Sequence, residues 1–462
     1  MYKNYSHKRK TSLLLALVMV LAIFAPILEH PVLAEGTYGT NAYKHIEHLS
    51  QLEEPRVSGT ESEVAISEYI KTQFESYGYK TKIQKFSFEN RKGEVVKSQN
   101  VVAIKPGTSE KQLIVGAHYD QVTSGGSKGA HDNASGVGAI LEVAERIKDV
   151  ETPHTIVFVA FGSEEVGLKG SKHYVDNMTE KELENTEGMI NLDSIIAGDK
   201  MYVYAGSNGK GFLRDKALSY SKELGLDLIT QGGHPDFPAG TTGDWSDHAY
   251  FNAKGIPVLY FESTNWDIPY EDGSPGDGYV ETTVNKIMHT GNDNLEYIEK
   301  TFPGRIESRL NTTIQVLEKM LVEVKPMEKL PEGMKVSNDL ISLTDKREIE
   351  VTVNLGYKPN VEDLKWALGG KDFSQWKKWD SEKTEFAGSP WIFFSKKPYV
   401  DDKGLVKATI KIDLPFDSDD LNPRPYPRWA YMDLLGNYEL KVVDVNNYKS
   451  ASVTSNREER RR

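Results

Sequence analysis

The sequence predicts an α/β fold, a mixed, mostly parallel central sheet between helices, followed by a smaller antiparallel β-sandwich-like domain. Three observations predict it. Short apolar runs alternate with helical patterns over roughly the first two thirds of the chain. Those runs are continuous, as in strands buried on both faces. Beyond Leu330 the apolar period drops to two, with Gly, Pro and Asp turns between the runs.

A chain of 462 residues exceeds one ordinary core and predicts two domains. Its 27% charged and 38% hydrophobic residues are globular proportions. A net charge of -12 argues against nucleic acid as a partner, because phosphate contacts need clustered Lys and Arg. The chain has no cysteine, which excludes disulfides, thiol catalysis and any Cys-ligated metal.

Taken in order, Lys3, Lys8, Arg9 and Lys10 precede an apolar stretch from Leu13 to Leu28, and Val32-Leu33-Ala34 offers a cleavage site. Residues 1–34 read as a secretory signal peptide cleaved after Ala34, leaving a secreted protein with no membrane segment. An uncleaved anchor is the other reading, since the length nearly allows one. Ala42, Ile46, Leu49 and Leu52 recur at helical spacing until Pro55. Thr60-Glu-Ser-Glu63 is a capping box opening an amphipathic helix to Gly78. Ile83 to Phe88, Val101 to Ile104, Leu113 to Ala117, Thr155 to Phe161, Met189 to Asp193, Met201 to Ala205 and Ile256 to Phe261 read as strands. Val137 to Ile147, Phe212 to Leu224 and Ile306 to Val324 read as helices. The α/β part spans 35–325, a linker 326–332, an all-β domain of unknown role 333–455 and a basic tail 456–462. Alternation at Ile349 to Leu355, Val406 to Leu414 and Tyr438 to Val442 defines the β-domain. It holds Trp366, Trp376, Trp379, Trp391 and Trp429, five of the chain's seven. Buried core is the plainer account of them. A platform for cell-wall or glycan contact is the sharper one.

The polar residues that matter fall at strand ends, where chemistry gathers in such sheets. His118 and Asp120 end the Leu113 run, and Asp132 lies in a Gly-rich turn before the next helix. Glu164 and Glu165 follow Phe161, Asp193 follows Leu192, and His289 stands in a polar loop. Singly, each has an ordinary reading: a solvated acidic turn, a helix cap, a surface histidine. Together, His118, Asp132, Glu165, Asp193 and His289 form five N/O ligands that suit two zinc ions sharing a carboxylate, with Asp132 the best bridge. Adjacent carboxylates cannot serve one spot, so Glu164 is expected to act as a base, taking a proton from water and passing it to a leaving amine. Asp120 is expected behind His118, holding its free ring nitrogen.

His118-Tyr-Asp120, His131-Asp-Asn-Ala-Ser-Gly136, Phe161-Gly-Ser-Glu-Glu-Val-Gly-Leu-Lys-Gly-Ser171, Asn191-Leu-Asp193, Ser246-Asp-His248 and His289-Thr…Asp293-Asn-Leu295 stand in this order. As a set they resemble the M28 family of co-catalytic zinc aminopeptidases, closest to secreted bacterial leucine/arginine-type enzymes, over roughly Tyr38 to Val324. The resemblance implies an eight-stranded, mostly parallel sheet. It implies one zinc on His118 and Asp193, the other on Glu165 and His289, Asp132 bridging, and Glu164 as general base. It places Asp247 and His248 behind the ligands, lining the pocket. Met288 stands where several relatives carry an oxyanion-steadying Tyr; Tyr270 or Tyr279 is the expected substitute. About forty residues between Gly78 and His118 leave no room for an inserted domain.

The function expected is zinc-dependent removal of N-terminal residues from peptides with a free amine. Another dizinc amide hydrolase, a carboxypeptidase or an aminoacylase, is the alternative on the same site. A non-catalytic binding protein on an inherited fold is disfavoured, because every ligand and the base are present.

Overall fold

Two helices open the fold, and each is fixed by residues far along the chain. In the computed structural model, which describes residues 37–207, 211–326, 341–343, 348–355, 357–369, 377–378, 392–412, 439–444 and 450–454, helix α1 is Thr40–Ser50. It buries Ala42, Ile46 and Leu49. Its first N–H groups are capped by Glu142, whose carboxylate accepts from Gly39, Asn41 and Ala42 at 2.8–3.0 Å. Helix α2, Glu61–Ser76, starts as a half-formed capping box. Thr60 accepts the Glu63 N–H at 3.2 Å, but the Glu63 carboxylate takes the Gly59 N–H at 2.6 Å instead of that of Thr60. Ser98 and Ser163 hold that carboxylate in the interior, which is why it leaves the cap.

The apolar runs become one sheet of seven strands: β1 Lys80–Glu89, β2 Val95–Lys105, β3 Gln112–His118, β4 Thr155–Phe161, β5 Thr186–Leu192, β6 Lys200–Tyr204 and β7 Val258–Thr264. Their order is β1-β2-β4-β3-β5-β7-β6. The central four, β4, β3, β5 and β7, run parallel, and antiparallel strands close both edges. Burial follows: β5 and β7 are buried at every residue and β3 and β4 at all but the first. Helix α3, Ser135–Ile147, is buried at nearly every position between α1 and the sheet. Helix α4 is Lys169–Asp176, α5 Glu180–Asn185, α6 Phe212–Glu223, α7 His248–Ala253, α8 Leu295–Thr301 and α9 Arg305–Glu323.

The expected eight-stranded sheet has seven strands among the described residues. Beyond β6 pairing continues only as isolated bridges, Tyr202 with Ile229 and Ala205 with Thr241. Gly232, Gly233, Pro235 and Pro238 interrupt that segment, so no ladder can run along it.

The later residues form two antiparallel four-stranded sheets, as the period-two pattern predicts. One contains β8 Ile341–Leu343, β9 Glu348–Val353, β12 Ile392–Val400 and β13 Val406–Ile412. The other contains β10 Leu364–Gly369, β11 Lys377–Lys378, β14 Glu439–Asp444 and β15 Ser450–Thr454. Trp366 stands in β10. The other four tryptophans of this region, the signal segment, linker residues 327–332, Leu414, Tyr438 and the basic tail lie outside the described residues.

Candidate metal centre

Three adjacent parallel strands deliver the polar residues to one edge of the sheet. His118 ends β3, Asp193 follows β5, and Glu164 and Glu165 follow β4. Asp132 enters from the turn between β3 and α3, and His289 from the loop before α8. His118 Nε2 lies 3.2 Å from Asp132 Oδ1 and 3.4 Å from Asp193 Oδ1. His289 Nε2 lies 3.0 Å from Asp132 Oδ2 and 3.3 Å from Glu165 Oε2. The two oxygens of Asp132 thus face two separate groups.

The donor set fits a pair of divalent cations. His118, Asp132 and Asp193 could hold one ion, and Asp132, Glu165 and His289 another, their donor atoms lying within 4.8 Å of one another in each group. Glu165 Oε1 is buried without a hydrogen-bond partner. Nitrogen and carboxylate oxygen without thiolate suit zinc. Crowding alone is poorly tolerated. Burial, then the charge of Asp132, pushes Glu165 up to about 7. Hydrogen bonds that its ring donates to Asp132 and Glu165 hold the His289 imidazole up to about 10. Burial opposes a charge on His118, yet Asp193 and Glu164 together raise it well above its usual value. Protons would fill this nest if cations did not.

Glu164 stands beside these donors, its Oε2 3.9 Å from His118 Nε2, and with His118 and Glu165 it makes a third group of donor atoms within 4.8 Å of one another. Burial raises its carboxyl well above the usual range, against His118 and with Asp247 and Asp193.

The residues that hold this arrangement stand mostly within the motifs quoted above, whose spacing does not show what each one braces. Asp293 accepts from the His131 N–H at 2.6 Å and the Asp132 N–H at 3.3 Å. Asn133 ties the Asp132 turn to β5, donating to Leu192 O at 2.9 Å and accepting from the Gly136 and Ser194 N–H groups. Ser246 donates to Asp193 Oδ2 at 2.7 Å and accepts from Asn191. Buried Arg56 donates to Leu49 O, Lys128 O, Gly129 O and Gln121, closing the loop before Asp132. Ser163, Ser194 and His289 adopt positive φ of 57°, 56° and 60°, strained positions concentrated at this edge.

Asp120 stands behind His118 and does more than the sequence suggests. It faces His118 Nδ1 at 3.5 Å, and that nitrogen makes no hydrogen bond. Its oxygens also accept from the Glu164 and Glu165 N–H groups at 2.9 and 3.2 Å, so it aims the acidic pair. Asp247 and His248 are buried but do not line the cavity. His248 donates from Nε2 to Gly243 O at 2.9 Å and stacks on Tyr260. Both Asp247 oxygens lack a hydrogen-bond partner.

The nest opens into a cavity of about 230 Å³. Beyond the nest residues it is lined by Ser194, Trp245, Tyr260, Glu262, Asp277, Gly278, Tyr279 and Met288. Tyr279 reaches it and Tyr270 does not. No lining residue is Lys or Arg.

A two-lobed nest of histidines and carboxylates at the carboxyl edge of a mixed α/β sheet, open to a cavity, defines a metal-dependent hydrolase. Residues 100–314 match peptidase family M28. The alkaline phosphatase isozyme conversion protein of Escherichia coli K12 is 32% identical over 318 residues, 62% of this chain and 90% of that protein. Aminopeptidase YwaD of Bacillus subtilis is 32% identical over 247 residues, 52% of this chain and 47% of that one, so the chain spans about half its length. A solved zinc aminopeptidase from Bacillus subtilis shares the fold, with a TM-score of 0.51 and 20% identity over 62% of this chain and 96% of that one. The chain belongs to peptidase family M28.

Proposed function

We propose that this chain is a secreted dizinc aminopeptidase, releasing the first residue from peptides that carry a free N-terminus. The observation that carries the reading is the division of Asp132, one oxygen toward His118 and the other toward His289. Zinc ions held by His118, Asp132 and Asp193, and by Asp132, Glu165 and His289, would supply Lewis acidity toward the scissile carbonyl and acidify water. Glu164 takes the proton that water gives up and returns it to the departing amine. Asp120, through the backbone of residues 164 and 165, keeps that carboxylate aimed into the cavity.

Charge favours an aminopeptidase over the alternative. A carboxypeptidase or an aminoacylase binds a substrate whose reacting residue bears a free carboxylate. The cavity lining offers no Lys or Arg to receive one and several carboxylates to receive an α-ammonium group. Met288 stands beside His289 and donates nothing to an oxyanion. Tyr279, half-exposed on the cavity wall, is the proposed substitute.

Secretion rests on the basic and apolar N-terminal segment with cleavage after Ala34. Among the described residues no helix is long and apolar enough to cross a membrane. The proposed boundaries are 1–34 for the signal, 35–325 for the peptidase domain, 326–332 for a linker, 333–455 for the β-domain and 456–462 for the tail. Contact with cell walls or glycans is the proposed role of the β-domain. Retention of the full chain, but not of 35–325, on cell walls tests it.

The test of the function is hydrolysis of chromogenic amino-acid amides with free and N-acetylated amines. Turnover of the free-amine set alone, lost to chelation and restored by zinc, is expected. Preference for the acetylated set would replace this reading with an aminoacylase.

A further inference from the structure

We propose that Glu281 is a positioning residue for the metal centre. Its carboxylate fixes the backbone that presents His289, so the ion on the Glu165 and His289 side depends on it and the ion on the His118 and Asp193 side does not. The proposal rests on the dizinc reading above. His289 is the ligand that packing holds least. Its side chain is 35% exposed, against 11% or less for the other four. It also sits at a φ of 60°, which a residue with a Cβ keeps only where its surroundings hold it there. The ring therefore goes where the backbone is put.

Glu281 supplies that hold. It is 1% exposed. Its Oε2 accepts the Ile287 N–H at 2.9 Å and its Oε1 accepts the Met288 N–H at 3.0 Å. A buried carboxylate is costly unless its oxygens are bonded. Here both are spent on the two residues just before the ligand, which closes the loop 281–288. A side-chain amide has one oxygen to offer in place of two, so it would leave one of these N–H groups facing another donor. The closed loop is also anchored. The Asp199 N–H donates to Glu281 O at 2.9 Å, and Asp199 Oδ2 accepts the Thr283 N–H at 2.8 Å. Asp199 in turn pairs with Arg305 of α9 at 3.2 Å. On the other side of the ligand, the Thr290 hydroxyl donates to Ile287 O at 2.8 Å. The loop also touches the cavity wall, because Lys286 Nζ lies 3.2 Å from the centre of the Tyr279 ring. The ligands of the other ion are held by different means. His118 stands at the end of β3, and Asp193 accepts from Ser246 at 2.7 Å.

The experiment titrates zinc into the metal-free full chain by calorimetry against a competing chelator, for wild type, His289→Ala and Glu281→Gln. Wild type should show two binding events. His289→Ala should lose one of them, which marks the event that belongs to the His289 side. In Glu281→Gln the marked event should weaken by about tenfold to a hundredfold, the range for partners that orient a ligand, while the other keeps its wild-type affinity. A residue serving stability alone would shift both events or neither. Asp199→Ala loosens the anchored end with Glu281 intact, and should weaken the marked event alone by a smaller factor. Where Glu281→Gln does not fold, Asp199→Ala decides by the same criterion. Two events at wild-type affinity, or both weakened equally, would overturn the proposal and leave the dizinc reading intact. A single event in wild type would sink the dizinc reading, and this proposal with it.

Discussion

Asp293 holds the backbone of Asp132, its Oδ2 accepting the Asp132 N–H at 3.3 Å while Oδ1 takes that of His131 at 2.6 Å. Asp293 lies four residues after His289, so one loop supplies a histidine to the nest and fastens the turn that carries the shared carboxylate. Asp293→Ala leaves both N–H groups buried and unpaired. Its expected effect is a loss of zinc affinity of about tenfold to a hundredfold, measured by competition with a chromophoric chelator. Wild-type affinity would mean that the turn is held by Asn133 and Arg56 alone.

Asp132→Asn keeps the shape of the bridge and removes its charge. Zinc content after dialysis should fall from two per chain to one or fewer, and kcat by at least about a thousandfold, since the two ions act as one unit. Elemental analysis reading two zinc ions in an active variant would contradict the shared carboxylate.

Gly136 is fixed by space and not by backbone angle. A Cβ there would meet Leu192 O at 2.4 Å and Asn133 Oδ1 at 2.6 Å, both part of the brace between the Asp132 turn and β5. Gly136→Ala should cost about 1–3 kcal/mol by overpacking and lower activity beyond what its stability loss explains. Urea unfolding at fixed zinc, read beside kcat, checks both. A neutral substitution would show that this brace gives way freely.

Burial pushes Glu63 up to about 7, against hydrogen bonds from Ser98, Gly59 and Ser163. In the unfolded chain the same carboxyl titrates near 4.5. Between those values the folded state keeps a proton that the unfolded state releases. The contribution is present below about pH 4.5 and is lost as pH rises through about 7, amounting to at most ~3 kcal/mol. Glu63→Gln removes this dependence. The variant's unfolding free energy relative to wild type should therefore rise between pH 5 and pH 8. A constant difference across that range would place Glu63 among groups that titrate alike in both states.

The parts of the site that the sequence reveals are those carried by local pattern. Continuous apolar runs locate β3, β4 and β5, and the residue types just past Ala117, Phe161 and Leu192 announce the nest. Its bracing is not local. Asp293 reaches His131 across 162 positions and Asn133 reaches Leu192 across 59, by single side-chain bonds that leave no periodic trace. Asp120 shows the same limit: its position two residues from His118 suggests the ring, which it faces at 3.5 Å, but not the two backbone N–H groups of a distant turn that it also holds. Glu262 is hidden differently. The apolar run from Ile256 suggests that β7 stops at Phe261, but the strand continues to Thr264 and carries the carboxylate into the cavity. Among the described residues the eighth strand is reduced to two isolated bridges, at Ile229 and Thr241, with glycines and prolines between them.

The central claim is that two zinc ions sit in this nest while Glu164, which binds neither, moves the proton. Glu164→Gln tests it most directly, with zinc per chain and kcat on a free-amine amide measured on one preparation. The account predicts two zinc ions retained and kcat reduced by about a thousandfold or more. Near-normal turnover, or loss of zinc along with turnover, would contradict it.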